Sequence, residues 1–313
     1  MMRSDHPAAS TPPASVEAAP QTTAASNEAA TRGLLIGAVG VLIFAATLPM
    51  TKIALQGGVL NAWFAWSGRT VLGAIAGIAY LLWKRHRLPA RAAWWPVIGA
   101  TLGIVFGWPL VNTIALQFTQ ASHAAVVNGI LPLATAVIGA ALNREKLSRR
   151  FWICAVLGSA VVCTYAWMRG GGDFSGIDLL LLLGVALGGF GYACGALATR
   201  YLSGPEVISW ALILALPITT VITLFSAPTS PQSASINSWL AFIYLGLMSQ
   251  WIGFFFWYRG LAIGGIAKVS QVQLVQLFCT LVFSALLVGE AIDIKMLVVA
   301  SLTVAIVAVG RRR

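Results

Sequence analysis

A single arginine lies near the middle of a long apolar stretch, where a charged side chain requires a physical explanation. Arg69 is nine residues into the stretch 60–82, about 14 Å along a helix that rises roughly 1.5 Å per residue. If this stretch crosses a bilayer, the charge costs a few kcal/mol or more, and such residues usually contact a ligand or another polar group. One prediction is that the Arg69 side chain is a cation that binds an anionic group of a ligand. The alternative is an arginine bonded to backbone carbonyls of a broken helix opposite Pro49.

Polar side chains recur along one face of the stretch 266–288. They are spaced three, three, four and four residues apart, which places them on one side of a helix: Ser270, Gln273, Gln276, Thr280 and Ser284. A shift of 145 residues puts Asn128 and Thr135 at the equivalent positions of the stretch 122–142. Two matching polar faces favour a shared wet cavity. The alternative is hydrogen bonding between neighbouring helices.

Aromatic and amide side chains on other stretches extend this candidate site. Trp66 and Trp108 lie deep enough to stack against an apolar or aromatic ligand, whereas tryptophans at the stretch ends are typical of the membrane interface. The complete predicted ligand-contacting set is Arg69, Trp66, Trp108, Asn112, Asn128, Thr135, Gln250, Trp257, Gln273, Gln276 and Thr280.

Four further residues are candidates for gating or for coupling to an ion: Lys52, His123, Pro49 and Pro132. Lys52 is three residues from a stretch end, so the alternative is an ammonium that reaches the interface along its own stem. His123 can bind a proton near neutral pH, although a lone histidine at a helix start is often only hydrogen-bonded. No Asp or Glu is predicted deep in any stretch, so proton coupling would need another group.

The sequence does not predict an enzyme or a cofactor. A Ser–His or paired-Asp arrangement, which intramembrane proteolysis needs, is not found, and neither is a His/Glu cluster at metal-ligand spacing. The four cysteines lie inside apolar stretches without CxxC spacing and are predicted to be packing residues. We therefore expect no catalytic residues, no metal and no cofactor.

The elements that position these residues are apolar helices. Only 9% of the residues are charged and 58% are hydrophobic, too few charges for a water-facing surface. A helix needs about 20 apolar residues to cross a bilayer, and ten stretches fit that length. They are 33–55, 60–82, 94–116, 122–142, 150–167, 178–200, 206–226, 237–259, 266–288 and 293–309. The prediction is an all-α integral membrane protein with ten transmembrane helices, preceded by a disordered cytoplasmic tail over 1–32.

The position of the basic residues explains the net charge of +11. Most of the twenty Lys and Arg residues fall between stretches on the side of the amino terminus, among them Lys84, Arg85, Arg87, Arg91, Arg144, Lys146, Arg149, Arg150, Lys268 and Arg311 to Arg313. The positive-inside rule then places both termini in the cytoplasm. The basicity reflects membrane topology, so nucleic acid is excluded as a partner.

The chain contains an internal repeat. The shift of 145 residues aligns Trp94 with Trp239, Thr135 with Thr280 and Glu145 with Glu290, and it also aligns the stretch boundaries. The halves are 33–167 and 178–309, joined by the polar linker 168–177. Five crossings per half would give the halves opposite orientations in the membrane, which is typical of transporters with a substrate site near the midplane.

The chain resembles the EamA branch of the drug/metabolite transporter superfamily. The resemblance covers 33–309 and is carried by these features: Leu48-Pro-Met-Thr-Lys-Ile-Ala-Leu, Arg69, Pro132, Tyr258-Arg-Gly-Leu-Ala-Ile-Gly-Gly-Ile-Ala-Lys and Gly289-Glu290. It implies two five-helix halves and export of amino acids or related metabolites from the cell across the inner membrane. The chain departs from the family pattern at Asn143-Arg144 and at Leu277, where a proline is expected opposite Pro132.

The sequence leaves a second function open, namely a lipid scramblase or channel-like facilitator on the same fold. Its partners are predicted to be a small-molecule substrate and membrane lipids. A homodimer is neither required nor excluded.

Overall fold

A computed structural model of the chain describes residues 21–143, 148–169, 175–264, 269 and 272–310. Several sequence predictions fall outside these residues. They concern the first twenty residues of the predicted tail, the centre of the linker, part of the polar face and several basic residues: 1–20, 170–174, Ser270, Arg144, Lys146, Lys268 and Arg311 to Arg313.

The regular structure of the described residues is helical. The α-helices are α1 (Gln21–Ala45), α2 (Thr47–Ala54), α3 (Ala62–Lys84), α4 (Arg91–Ala100), α5 (Trp108–Ala115), α6 (Ala121–Asn128), α7 (Leu131–Asn143), α8 (Arg149–Arg169), α9 (Gly176–Ala198), α10 (Gly204–Phe225), α11 (Ile236–Ile243), α12 (Gly253–Gly264), α13 (Gln273–Phe283) and α14 (Ile294–Gly310). Wider π-helical segments connect or extend some of them: Thr101–Gly107, Tyr244–Ile252 and Ser284–Val288.

Among the described residues, seven helical segments are long and apolar enough to cross a membrane: Thr31–Ala54, Ala62–Lys84, Arg91–Ala115, Ala121–Leu142, Gly176–Ala198, Gly204–Phe225 and Ile236–Ile263. Three apolar helices are shorter, Trp152–Tyr165, Gln273–Val288 and Ile294–Ile306. The all-α membrane architecture is therefore confirmed, while the number of ten crossings stays a prediction. The first helix begins at Gln21 and therefore includes 21–32 of the predicted disordered tail, whose extent stays a prediction.

Prolines coincide with breaks in several long helices. A proline lacks a backbone N–H and leaves the carbonyl four residues earlier without its helical partner. Pro49 follows the junction of α1 and α2, Pro109 follows the π segment Thr101–Gly107, and Pro132 follows the junction of α6 and α7. The helix α13 continues through Leu277, which is equivalent to Pro132. The two repeats therefore differ in backbone shape at this position.

The helix boundaries repeat along the chain. Arg91 and Ile236 begin α4 and α11, Arg149 and Ile294 begin α8 and α14, and each pair is separated by 145 residues. Both α4 and α11 continue into a π segment and then into another α-helix. Wide turns are uncommon in helices, so their recurrence at equivalent positions supports the repeat independently of residue identities.

The packing of the helices follows the same repeat. α1 packs along α12, and α9 packs along α4, α5 and the segment between them; the shift of 145 residues converts one pairing into the other. α3 packs on α10 and α8 on α14, and these pairings convert into themselves. The two repeats therefore interlock, since the first helix of each repeat packs mainly against the other repeat.

Glycine allows these helices to approach closely. A Cβ atom built on Gly103 would lie 2.3 Å from the Cα of Gly191, and one built on Gly40 would lie 2.9 Å from the carbonyl oxygen of Gly253. No side chain fits in such a space, so the backbones of the two repeats touch directly. Gly99, Gly103 and Gly107, spaced four residues apart, thus serve helix packing, as small residues commonly do in membrane bundles.

Candidate functional site

Arg69 lies in the interior of the bundle, between the two repeats. It is on α3, its exposed fraction is 2%, and its Nη2 donates to Oε1 of Gln250 from the second repeat. Its Nε has no hydrogen-bond partner among the described residues, and no described carboxylate forms a salt bridge with it. A buried cation with unused donors is costly unless a further acceptor is supplied. The buried Nε of Arg69 therefore lacks an acceptor among the described residues.

Backbone carbonyls of the π segment Thr101–Gly107, near Arg69, accept hydrogen bonds from side chains. Pro109 cannot donate to the carbonyl of Val105, and the indole Nε1 of Trp66 donates to that oxygen instead, at 3.0 Å. Gln250 Nε2 donates to the carbonyl of Ile104 in the same π segment, at 3.3 Å. The amide of Gln250 thus joins the π segment of the first repeat to Arg69.

Two neighbouring cavities lie at the interface of the repeats and share Trp108 and Gln276 as lining residues. The Arg69 cavity is lined by Phe44, Thr47, Arg69, Ile104, Trp108, Pro109, Tyr192, Ser249, Gln250, Phe254 and Gln276. The Gln273 cavity is lined by Leu48, Trp108, Ala125, Asn128, Gly129, Leu131, Pro132, Gln273, Leu274, Gln276, Leu277, Thr280 and Val304. Each has a few polar groups among mainly apolar and aromatic walls, which is typical of small-molecule sites.

A hydrogen-bonded chain fixes the wall between the cavities. Trp108 Nε1 donates to Oδ1 of Asn128 at 2.7 Å, and Asn128 Nδ2 donates to Oδ1 of Asn112 at 2.9 Å. Thr47 and Ser249, one from each repeat, share a 2.8 Å hydrogen bond in the lining of the Arg69 cavity. The polar groups of this region are therefore held in place by their neighbours.

The structure brings most of the predicted ligand-contacting set together. Seven of its members line the cavities: Arg69, Trp108, Gln250, Asn128, Gln273, Gln276 and Thr280. Pro132, predicted to act in gating, also lines the Gln273 cavity. The remaining members lie outside both linings: Trp66, Asn112, Thr135 and Trp257. Of these, Trp66 is buried against Phe106, and the hydroxyl of Thr135 donates to the carbonyl of Leu131 in its own helix.

Lys52 and Glu290 both form hydrogen bonds with backbone groups at the turn between α5 and α6. The ammonium of Lys52 donates to the carbonyls of Leu116 and Thr119, each at 2.8 Å. The carboxylate of Glu290 accepts from the backbone N–H groups of Ala121 and Ser122, at 2.7 and 2.8 Å. A cation near helix carbonyls and an anion at a helix start are both favoured by the helix dipole. We call this end of the bundle, which contains Lys52, Glu290 and the turn 116–122, the Lys52 end.

His123 and Asp178 form a buried pair at the Lys52 end. Nε2 of His123 lies 2.7 Å from Oδ1 of Asp178, and each side chain is 4% exposed. The ring of His123 also contacts the ring of Tyr165, with centroids 5.5 Å apart. Asp178 is at a helix start, as predicted, but it is buried, which sequence reasoning missed. Its sequence signal is Ser175-x-x-Asp178, a capping box in which Ser175 Oγ donates to Oδ2 at 2.7 Å.

A second pair of the same kind lies at the opposite end of the bundle. Nδ1 of His86 is 2.9 Å from Oε1 of Glu206, and the side chains are 26% and 15% exposed. Glu206 belongs to the capping box of Ser203, and His86 stacks on Tyr80 with ring centroids 5.6 Å apart. We call this end the His86 end. In both pairs the histidine comes from the first repeat and the carboxylate from the second.

These features define the class of the protein: a multi-pass membrane protein of two interlocked helical repeats with polar cavities between them. A family model confirms this class and specifies it. The EamA-like transporter family matches twice, at residues 31–166 and 175–310, and the chain belongs to that family. The protein is thus an EamA-type transporter, and the resemblance predicted from its motifs is confirmed.

The chain is also similar to individual proteins, two of which are named as transporters. The chain is 36% identical over 282 residues to the uncharacterized transporter YdeK of Bacillus subtilis (strain 168), covering 90% of this chain and 98% of the relative. It is 24% identical over 199 residues to the uncharacterized transporter YyaM of the same organism, covering 60% and 63%. A solved crystal structure has the same fold, with a TM-score of 0.62 at 19% identity, over 89% of this chain and 96% of that one.

Proposed function

We propose that the protein exports amino acids or related small metabolites by alternating access. In this mechanism ten helices form two inverted five-helix halves around a site that opens to one side of the membrane at a time. Three observations support the proposal. They are the family membership, the helix pairings that the shift of 145 residues converts into one another, and the position of the cavities between the repeats.

The direction of the helices supports the inverted arrangement. Lys52 is close to the end of the first membrane helix and reaches Thr119, in the same turn that receives Glu290. Asp178, near the start of the second repeat, meets His123 at this same end. The second repeat therefore begins where the first helix of the first repeat ends. We infer from the positive-inside rule that the Lys52 end faces outward and that both termini face the cytoplasm of a cell with the protein in its inner membrane.

A topology map tests this orientation. A reporter tag that becomes active only in the cytoplasm should be active when fused before Met1 and inactive when inserted in the connector 168–177. Activity at both positions would contradict the inverted arrangement.

One observation carries the proposed substrate site: Arg69, a buried cation whose Nε has no partner among the described residues, lines a cavity between the repeats. We propose that the carboxylate of the substrate completes the hydrogen bonding of Arg69, while Phe44, Phe254 and Trp108 contact its apolar part. A hydrogen bond to a charged group contributes about 1.5 to 3 kcal/mol, so it can provide most of the binding selectivity for carboxylates.

Counterflow in proteoliposomes tests the site and the mechanism together. Vesicles preloaded with a panel of unlabelled amino acids should accelerate uptake of the labelled compound, because a carrier exchanges substrate across the membrane. Arg69→Ala should reduce the exchange of carboxylate substrates about tenfold or more, as expected for the loss of a charged hydrogen bond. Arg69→Lys should retain more activity, and Arg87→Ala, at an exposed arginine, should behave as the parent protein.

Two results would contradict the proposal. Equal loss for carboxylate and neutral substrates in Arg69→Ala would show that Arg69 serves the fold rather than the substrate. Flux without acceleration by substrate on the far side would favour a channel-like facilitator or a lipid scramblase over a carrier.

A further inference from the structure

The buried His123–Asp178 pair connects the two repeats at the Lys52 end. His123 is on α6 of the first repeat and Asp178 on α9 of the second, and the two side chains are the most enclosed ion-pairing groups among the described residues. Both carboxylate oxygens are engaged, Oδ1 with His123 and Oδ2 with Ser175. Movement of α6 away from α9 would therefore expose this contact to water.

The number of protons on the pair determines its net charge. With one proton on the imidazole, the pair is an ion pair with no net charge. Without that proton, the neutral imidazole still donates one hydrogen bond, but the site keeps the uncompensated negative charge of Asp178. A net charge is disfavoured in a buried site, whereas water stabilises it when the site opens. Closure of the Lys52 end should therefore favour the protonated pair.

Other titratable groups lie on the elements that pack against α6. Tyr165 on α8 contacts the imidazole, Lys52 on α2 and Glu290 after Ser284–Val288 hold the adjacent turn, and Asp293 and Lys295 lie beside the start of α14. Thiols on these elements are Cys154 and Cys163 on α8, Cys194 on α9 and Cys279 on α13. Lys52 and Glu290 are bound to backbone groups, whereas His123 and Asp178 join the two repeats by a hydrogen bond between two titratable side chains.

We propose that His123 and Asp178 form a proton-binding site that controls opening of the Lys52 end. Proton uptake strengthens the contact between the repeats and closes this end; proton loss weakens it and favours opening. If the Lys52 end faces outward, as in the proposed function, a proton taken from the outside would close the emptied exporter. This part of the inference rests on that function, but the proton-dependent opening itself does not.

Thiol labelling measures the opening without transport. Ala125 is buried, lines the Gln273 cavity and is two residues beyond His123, so Ala125→Cys reports access past the pair. Gln56→Cys, an exposed position at the same end, corrects for the effect of pH on thiol reactivity. A membrane-impermeant maleimide is added outside proteoliposomes between about pH 5 and 8, where an imidazole exchanges its proton, and the labelling of the parent protein is subtracted.

We expect the labelling rate of Ala125→Cys, divided by that of Gln56→Cys, to rise with pH by up to about tenfold per pH unit, the limit for one linked proton. His123→Gln and Asp178→Asn, each combined with the reporter substitutions, should remove the rise. Ser175→Ala removes the capping hydroxyl but leaves the pair, so it should keep the rise. His86→Gln, which breaks the matching pair at the other end, should keep it too.

A rise that persists in either His123→Gln or Asp178→Asn would overturn the proposal, and so would a rise that His86→Gln abolishes equally. Size-exclusion chromatography shows which variants are folded, and one folded variant of the pair is sufficient for the comparison. Failure of the counterflow experiment would leave the labelling result unchanged, so the two proposals are tested separately.

Discussion

The two ends of the bundle contain the same arrangement of side chains in different surroundings. Each end has a histidine from the first repeat, a tyrosine ring beside it, and a capping-box carboxylate from the second repeat. The pair His123–Asp178 is 4% exposed on both sides, whereas His86 and Glu206 are 26% and 15% exposed. The local sequence provides the same set of side chains at both ends. Tertiary packing determines how far each pair is buried, and therefore how much stability it contributes.

The largest expected difference between the ends follows from this burial. Asp178→Ala and Glu206→Ala each remove a capping-box carboxylate and the partner of a histidine. Breaking a buried pair costs about 3 to 5 kcal/mol, because a polar group is left without its partner away from water. A pair that water reaches, such as the partly exposed His86–Glu206 pair, contributes about 1 kcal/mol or less. Thermal unfolding of the purified protein in detergent should therefore show a much larger loss for Asp178→Ala.

Equal losses of stability in these two variants would contradict the comparison. Such a result would mean that the shared cap, and not the buried pair, is responsible for the stability at the Lys52 end.

A smaller effect, equal at both ends, is expected from the caps themselves. Ser175 and Ser203 are both exposed, both begin a helix with a capping box, and each donates its hydroxyl to the carboxylate three residues on, at 2.7 and 2.6 Å. Ser175→Ala and Ser203→Ala should each lower the free energy of unfolding by about 1 kcal/mol. The measurement is the same thermal unfolding series. A loss several times larger at Ser175 would show that its hydroxyl also supports the His123–Asp178 pair, which would sharpen the difference between the ends.

Salt should produce the smallest effect, and only at the His86 end. Raising the ionic strength from about 0.1 to 1 M shortens the screening length from about 10 to 3 Å and weakens exposed charge pairs. The difference in unfolding temperature between the parent and Glu206→Gln should shrink in high salt. The difference between the parent and Asp178→Asn should stay nearly constant, because water and ions do not reach that pair. A salt effect of the same size on both variants would show that the Lys52 end is open to solvent.

The sequence predicts the membrane class, the repeat and the main cavity residue for identifiable reasons. An arginine within an apolar stretch is conspicuous, and the polar faces of two equivalent stretches identify Gln273, Thr280 and Asn128 as neighbours. These features depend on helix periodicity, which is visible in a single chain.

The rest depends on contacts between distant helices. Asp178 was predicted only as a helix end, because burial of a helix end by α6 is a tertiary effect. Trp66 was predicted to contact the ligand, but its indole is bonded to the carbonyl of Val105, outside both cavities. Pro109 cannot donate a helical hydrogen bond to that carbonyl, which leaves it available to the indole. Nothing in the sequence indicates that Trp66 and Val105 are in contact. The role of the cavity residues in binding stays a prediction.

The π segment before Pro109 ties the shape of one helix to the chemistry of the cavity. Two side chains, Trp66 and Gln250, use its outward-turned carbonyls, and Gln250 is at the same time the acceptor for Arg69. Straightening this wide turn would withdraw the oxygen that holds the amide nitrogen of Gln250 and leave the amide free to rotate away from the guanidinium. A backbone rearrangement at 104–105 would then alter the number of hydrogen-bond donors that Arg69 offers to a bound anion.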